Sequence, residues 1–233
     1  MTDSGDTIVW AAFVLAAFGS GSIPFGLIIS RARGVNIREH GSGNIGATNV
    51  WRVVGKSAGL RCFILDVAKG LVPTLAAGFT HSLLGEGTIT NGQAAWWLGI
   101  ALAAVLGHMF SPWAGFKGGK GVATGLGALL GIYPYLTIPT LACAVVWLLM
   151  VKLTRLVGIS SCIAVASIPL WIWVWSLTRQ NTDGLISFYI GTGFLAALVV
   201  FRHRGNIART LAGTEPRLGD PVTTADDGKA KGQ

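Results

Sequence analysis

An all-α, polytopic membrane protein is the fold this sequence predicts, with seven transmembrane helices, a periplasmic N-terminus and a cytoplasmic C-terminus. Three observations carry that reading. The 233 residues are 52% hydrophobic and only 12% charged, about half the charge fraction of a soluble domain, and the mean hydropathy is +0.59. Apolar runs near the ~20 residues that a bilayer-crossing helix needs recur along the chain. The basic residues gather in alternate connections between those runs. A net charge of +8 would suggest nucleic acid in a soluble protein. In a membrane protein it belongs to cytoplasmic loops, or to a site for anions.

The apolar segments are 8–30, 57–80, 94–114, 119–133, 134–153, 156–178 and 184–201. The first follows MTDSGDT, which has two Asp and no Lys or Arg. A secretory leader starts with a basic stretch, so this segment is expected to be a permanent anchor. The second contains Arg61, Asp66 and Lys69. At ~1.5 Å per residue Lys69 sits about 18 Å along the helix, near mid-bilayer. Asp66 and Lys69 are three apart and share a face. They read either as a neutralising pair that locks helices together or as a pair that positions Arg61 or a glycine loop from behind.

The fourth segment is short and glycine-rich, GKGVATGLGALLGIYP, and suits a partial span or a broken helix lining a cavity. The sixth carries Trp171, Trp173 and Trp175, the pattern of an aromatic belt. Residues 1–212 read as one domain. Residues 213–233, polar with few large apolar side chains, read as a disordered cytoplasmic tail. Cys62, Cys143 and Cys162 lie in apolar runs without C-x-x-C, so neither zinc nor a disulfide framework is indicated.

Threading seven spans from an outside N-terminus leaves segments 31–56, 115–120, 152–155 and 202–233 facing inward, with 15 of the 18 Lys and Arg. Arg179 faces outward, and Arg61 and Lys69 lie within the second span. The opposite orientation would violate the positive-inside rule.

Three polar clusters then share the cytoplasmic side: REHGSGNIGATNVWR (38–52), GHMFSPWAGFKGGKGVATG (107–125) and RHRGNIART (202–210). Gly41, Gly43 and Gly46 fit G-x-G-x-x-G, but no strand surrounds them, so a dinucleotide loop is not indicated. What such a loop shares with a phosphate site is bare backbone. Successive N–H groups converge on one anion, and Ser42 and Thr48 add hydroxyls. Arg52 offers a planar fork and Lys120 a point charge. A glycine-rich turn or a basic loop by itself binds nothing; three such clusters on one face favour an anion site. FKGGKGVATG is not a Walker A loop, because Ala114 stands where its first glycine belongs and Gly121 where its Ser or Thr does.

His203 and Asn206, three apart, share one side of a helix and suit a polyol or a phosphate. His108 lies in the second cluster near a helix end, where it caps or packs. His81 with Glu86 spaces like an acyltransferase H-x₄-acid pair, but on the outer face. No H-x₃-H or G-x-S-x-G occurs, and Glu39 is the sole acid of the inward loops before the tail. No metal or other cofactor is expected. Phosphate donors without a nucleophile suit substrates that bring their own leaving group.

These motifs resemble one family. GSIPFG (21–26, after Ser20), GSGNIGATN followed by Arg52, LDVAKG (65–70), GHMFSPWAGFKGGKGVATG and RHRGNIART are similar to the bacterial membrane glycerol-3-phosphate acyltransferases that use acyl phosphate. The resemblance covers about residues 20 to 215. It implies seven transmembrane helices in the cytoplasmic (inner) membrane, with the site facing the cytoplasm. The implied reaction transfers a fatty acyl group from acyl phosphate to the 1-hydroxyl of glycerol 3-phosphate. The products are lysophosphatidic acid and phosphate, in the first acylation of phospholipid synthesis.

The resemblance puts Ser42, Thr48, Arg52, Gly118, Gly119, Lys120, His203 and Asn206 on the acyl-phosphate and glycerol-phosphate groups. Taken with the reading of the clusters above, catalysis is expected of Ser42, Arg52, Lys120, His203 and Asn206, phosphate binding of Gly41, Gly43, Asn44, Gly46, Thr48, Gly118, Gly119 and Ser161, and support from behind of Asp66, Lys69 and His108. Implied partners are glycerol 3-phosphate, fatty acyl phosphate, membrane lipids and the enzyme that forms the acyl phosphate, with no nucleic acid. The sequence departs from the family at TRLVGISS, where Gly158 replaces the first serine of TRYVSLxS and Ser161 keeps the second. The alternative is a transporter of an organic phosphate anion. Clustering of the cations at one face and the lack of an internal repeat weigh against it.

Overall fold

The structure, a computed structural model, describes residues 4–85, 88–178 and 183–220. Arg179, Glu86 and the tail beyond residue 220 lie outside the described residues. Within them every regular element is helical, as hydrocarbon requires when no sheet closes on itself. The α-helices are α1 (Ser4–Ser22), α2 (Phe25–Arg31), α3 (Ala47–Val53), α4 (Lys56–Thr80), α5 (Asn91–Met109) and α6 (Val122–Leu130), then α7 (Thr137–Thr154), α8 (Val157–Ala166), α9 (Ile168–Ser176), α10 (Leu185–Arg202) and α11 (Arg204–Leu211). Pro24 breaks the first apolar segment into α1 and α2, since proline offers no N–H and disfavours helix in the residue before it.

Among the described residues six stretches are long and apolar enough to cross a membrane: Ser4–Arg31, Lys56–Thr80, Asn91–Ala114, Thr137–Thr154, Val157–Ser176 and Leu185–Arg202. The expected fourth span is the exception. Its helix α6 has nine residues, about 13 Å of rise, under half of a ~30 Å hydrocarbon core. Glycines at 121, 125, 127 and 131 and a proline at 134 keep it short. The outer surface of the bundle is apolar. Leu15, Phe79 and Leu153 are 75%, 76% and 78% exposed, as side chains that meet lipid are.

Packing fixes which helix ends lie together. Trp10 near the start of α1 stacks on His81 after α4, with ring centroids 3.7 Å apart, and on Trp96 near the start of α5. His81 Nδ1 also lies 3.0 Å from Asp6. Tyr135, beyond α6, packs on Trp97, Trp175 and Phe188. Of the expected tryptophan belt, Trp173 is exposed while Trp175 is buried in this cluster. The starts of α1, α5 and α10 and the ends of α4 and α9 therefore share one end of the bundle. α6 and residues 131–136 carry the chain towards it, even though α6 is too short to span. α6 lies directly on α4: a Cβ on Gly127 would sit 1.9 Å from Val67 O, so only glycine lets the two backbones touch.

Candidate active site

All three clusters converge at the opposite end of the bundle, and specific side chains tie them together. Arg38 of the first donates to Ala114 O at 2.7 Å and Lys117 O at 3.0 Å of the second. Arg202 of the third donates to Gly118 O and Gly119 O, both at 3.0 Å. Lys120 Nζ donates to Asn206 Oδ1.

The glycine loop is organised by Asn49, which is buried. Its Nδ2 donates to His40 O and Asn44 O, and its Oδ1 accepts from Ser42 N at 3.0 Å. Gly41, at φ +60°, approaches so closely that a Cβ there would lie 2.4 Å from Asn49 Oδ1. Asn44 also lines the cavity, and its Oδ1 accepts from Gly46 N just before α3. Among the described residues neither the Ser42 nor the Thr48 hydroxyl has a partner within the protein, and both line the cavity.

Gly118 and Gly119 differ from the expectation that they cradle phosphate. Their N–H groups donate to Met109 O at 3.1 Å and His108 O at 3.2 Å, and their carbonyls are held by Arg202. A Cβ on Gly118 would lie 1.9 Å from His108 O, and one on Gly119 2.2 Å from His108 Nε2. These glycines dock the loop on α5 and so set the position of Lys120. Gly43 is likewise absent from the cavity wall.

Lys120, Arg52, His203, Asn206, Thr48, Ser42 and Asp66 line one polar cavity of about 370 Å³. Burial pushes the Lys120 ammonium down to about 8, partly offset by the Glu215 carboxylate. His203 Nδ1 lies 2.8 Å from Val199 O. A carbonyl oxygen only accepts, so Nδ1 carries the proton and Nε2 of the neutral ring is an acceptor. Burial holds this ring down at about 4, against the bond to Val199, which raises it.

An apolar cavity of about 110 Å³ adjoins the polar one, and Phe63, Gly121, Val122, Trp147 and Ser161 line both. Ser161 Oγ donates to Val157 O at 2.8 Å and accepts from Trp147 Nε1 at 3.0 Å. Its proton is committed, so it presents no donor to a phosphate. Gly158 stands where a larger residue would collide with Asn206, its Cβ 2.7 Å from that side chain.

Asp66 Oδ1 lies 2.9 Å from Lys69 Nζ, both buried, and Lys69 donates to Ile23 O at 2.8 Å. Arg61 is exposed, so the pair does not position it as expected. The pair instead caps the break between α1 and α2, whose last carbonyls would otherwise lack partners. Ser111 supports the same break by donating to Ser22 O. His108 Nδ1 is 3.7 Å from Asp66 Oδ1, too far for a direct hydrogen bond.

Sequence reasoning missed Asn49, Arg38, Arg202, Trp147, Arg209 and Glu215. Glu215 is the most informative. The segment expected to begin a tail at Gly213 runs, over residues 213–220, back across the cavity mouth. Glu215 Oε2 accepts from Arg209 Nε at 2.8 Å, and Pro216 O lies 3.5 Å from Arg52 Nη2. The available signal was an acid a few residues after a cluster of cations.

A family model described as glycerol-3-phosphate acyltransferase matches residues 11–213. The chain belongs to that family. A glycerol-3-phosphate acyltransferase of Thermosynechococcus vestitus is 42% identical, covering 91% of this chain and 96% of the relative. One from Desulforamulus reducens is 38% identical, covering 93% and 98%. Two crystal structures of PlsY (YgiH), an integral membrane glycerol 3-phosphate acyltransferase, are 36% identical and cover 91% of this chain and 96% of theirs. The glycerol 3-phosphate form superposes with a TM-score of 0.78 and the lysophosphatidic acid form with 0.75. This acyltransferase is thus a multi-pass integral membrane protein of the PlsY type.

Proposed function

We propose that the protein transfers a fatty acyl group from acyl phosphate to the 1-hydroxyl of glycerol 3-phosphate, releasing lysophosphatidic acid and phosphate. The observation that carries this reading is the junction of the two cavities at Phe63, Gly121, Val122, Trp147 and Ser161. A cationic chamber opens into an apolar slot, which matches a substrate with a phosphate at one end and an alkyl chain at the other.

Both reactants carry phosphate. Two like unit charges 4 Å apart repel by about 4 kcal/mol at an effective dielectric near 20. Arg52 and Lys120 offset that repulsion and stabilise the charge growing on the leaving phosphate. Ser42, Thr48 and the start of α3 add donors. The 1-hydroxyl oxygen attacks the acyl carbon, the carbon–oxygen bond to phosphate breaks, and the bonding pair leaves with the phosphate.

The hydroxyl proton goes to a substrate phosphate. A phosphate monoester has a second pKa near 6, whereas His203 is held at about 4 and is the weaker base. His203 Nε2 serves as acceptor for a glycerol hydroxyl and orients it.

In this reading the chain crosses the bacterial inner membrane seven times, with α6 as the short crossing. The N-terminus is periplasmic, and the site faces the cytoplasm with most of the Lys and Arg. The acyl-phosphate-forming enzyme is then a natural neighbour, and any remaining tail beyond residue 220 is cytoplasmic. Purified protein given palmitoyl phosphate and glycerol 3-phosphate should release inorganic phosphate and lysophosphatidic acid one for one. Uptake of glycerol 3-phosphate into proteoliposomes without phosphate release would instead identify a transporter. The aromatic cluster of Trp97, Tyr135, Trp175 and Phe188 at the far end weighs against that outcome.

A further inference from the structure

Glu215 belongs to none of the three clusters, yet its side chain is 8% exposed and lines the polar cavity. Its oxygens take different partners. Oε1 accepts from Asn206 Nδ2 at 2.5 Å and Oε2 from Arg209 Nε at 2.8 Å. The other end of the Asn206 amide, Oδ1, accepts from Lys120 Nζ. An amide has one donor end and one acceptor end. Between a carboxylate and an ammonium only one orientation satisfies both; the flipped amide would set NH₂ against the ammonium and oxygen against the carboxylate.

We propose that Glu215 is a positioning residue for acyl transfer: it orients the Asn206 amide and, through it, holds the Lys120 ammonium at the wall of the substrate cavity. This rests on the acyltransferase reading of that cavity. The carboxylate is placed by an independent anchor. Leu218 O accepts from Arg155 Nε at 3.0 Å and Nη2 at 2.7 Å, and Leu218 N donates to Arg155 O at 2.7 Å. Thr214 N donates to Arg209 O at 2.8 Å. The segment is therefore fastened on both sides of Glu215, by α11 and by Arg155 in the turn between α7 and α8.

The rival account makes Glu215 a competitor that fills the phosphate position and is displaced by substrate. The two accounts differ in sign. Lys120 is faced by Glu215 from the 213–220 segment, Arg209 and Asn206 from α11, Arg202 and His203 from the end of α10, and Cys162 from α8. Arg52 and Asp66 line the same cavity. Among these, Glu215 does most to favour the ammonium. Removing its charge while keeping its shape lowers the pH at which the cation is lost.

The test is Glu215→Gln in the full chain, with glycerol 3-phosphate binding measured by calorimetry from pH 6 to 10 and turnover measured alongside. The expected result is affinity weakened about tenfold at pH 7, and an alkaline loss of affinity that begins about one unit lower than in the parent protein. Turnover at saturating substrate at pH 7 should fall as well, by about tenfold, because the same ammonium stabilises the leaving phosphate. Glu215→Asp should restore part of the shift. Lys120→Arg, whose guanidinium does not titrate in this range, should show no alkaline loss, with or without Glu215→Gln. Tighter binding in Glu215→Gln with an unmoved alkaline loss establishes the competitor and overturns the proposal. Unchanged affinity and pH dependence also overturn it. If Glu215→Gln does not fold, the same comparison is made with Glu215→Asp. Parent protein that binds glycerol 3-phosphate with this pH dependence but forms no lysophosphatidic acid overturns the acyltransferase reading alone.

Discussion

Gly119 and His108 touch so closely that a single added carbon has no place: a Cβ on Gly119 would lie 2.2 Å from His108 Nε2, while the Gly119 N–H donates to His108 O at 3.2 Å. The loop is held from the other side by Arg202 on both glycine carbonyls. Lys120 is the next residue, so its place in the cavity follows from this contact. A loop that looks built to bind an anion instead positions one cation.

Gly119→Ala is therefore expected to displace Lys120 without unfolding the bundle. A misplacement of ~1 Å costs on the order of 10²-fold in rate. kcat/KM should fall by about that factor, with gel filtration in detergent unchanged. Near-normal activity would mean that the loop tolerates the carbon and does not set the geometry.

Lys120→Ala should lower kcat/KM by about 10³ or more, since in the proposed reaction it removes a half-buried cation that faces two phosphates. The unmutated lysine predicts a pH effect. Its ammonium sits at about 8 in the free protein, below its ordinary value. It is charged below that pH and neutral above it. KM for glycerol 3-phosphate should hold steady from pH 6.5 to about 7.5 and then rise towards ~tenfold per unit above pH 8. A flat KM to pH 9.5 contradicts this assignment.

His203→Ala separates an orienting acceptor from a base. With the ring at about 4, the histidine is neutral throughout the working range. The substitution should raise KM about tenfold or more and lower kcat by less than about tenfold. The acid limb of kcat/KM should remain near pH ~6, where the substrate phosphate takes up its proton. A loss of several orders in kcat would transfer the proton to His203.

Asp66 and Lys69 are best read as a structural pair, because Lys69 also holds Ile23 O at the break between α1 and α2. Removing one partner leaves a buried charge and costs about 3–5 kcal/mol. Asp66→Ala should lower the thermal midpoint in detergent sharply, and Asp66→Asn with Lys69→Met should regain much of it. An unchanged midpoint with lost turnover would place the pair in the chemistry instead.

How far the sequence foretold this arrangement depends on the scale of the feature. Apolar length and cation placement made the long helices legible, because the bilayer reads those properties directly. The fourth segment was legible as short and glycine-rich, but its close contact with α4 at Gly127 was not, because no local pattern names the partner backbone. Residue types for an anion site were visible too. Their division of labour was not: Ser42 and Thr48 keep free hydroxyls, whereas Gly118 and Gly119 give their N–H groups to α5. Glu215 was hidden for a related reason. A polar, glycine- and proline-containing stretch reads as solvent-exposed chain until Arg155, Arg209 and Asn206 are seen to hold it.

The apolar cavity yields a prediction about chain length. Gly125 of α6 lines it, and a Cβ there would meet Val105 at 3.7 Å and Leu195 at 3.9 Å, ordinary van der Waals distances. The helix can carry a side chain at this position without strain, and glycine costs about 1 kcal/mol relative to Ala in a helix interior. Gly125→Leu should therefore fold and fill the slot below Gly121. Activity with palmitoyl phosphate should fall at least tenfold, while a four-carbon acyl phosphate, which does not reach that depth, should be used within a few-fold of the parent rate. An equal loss with both donors would mean that the alkyl chain runs elsewhere, along the lipid-facing surface.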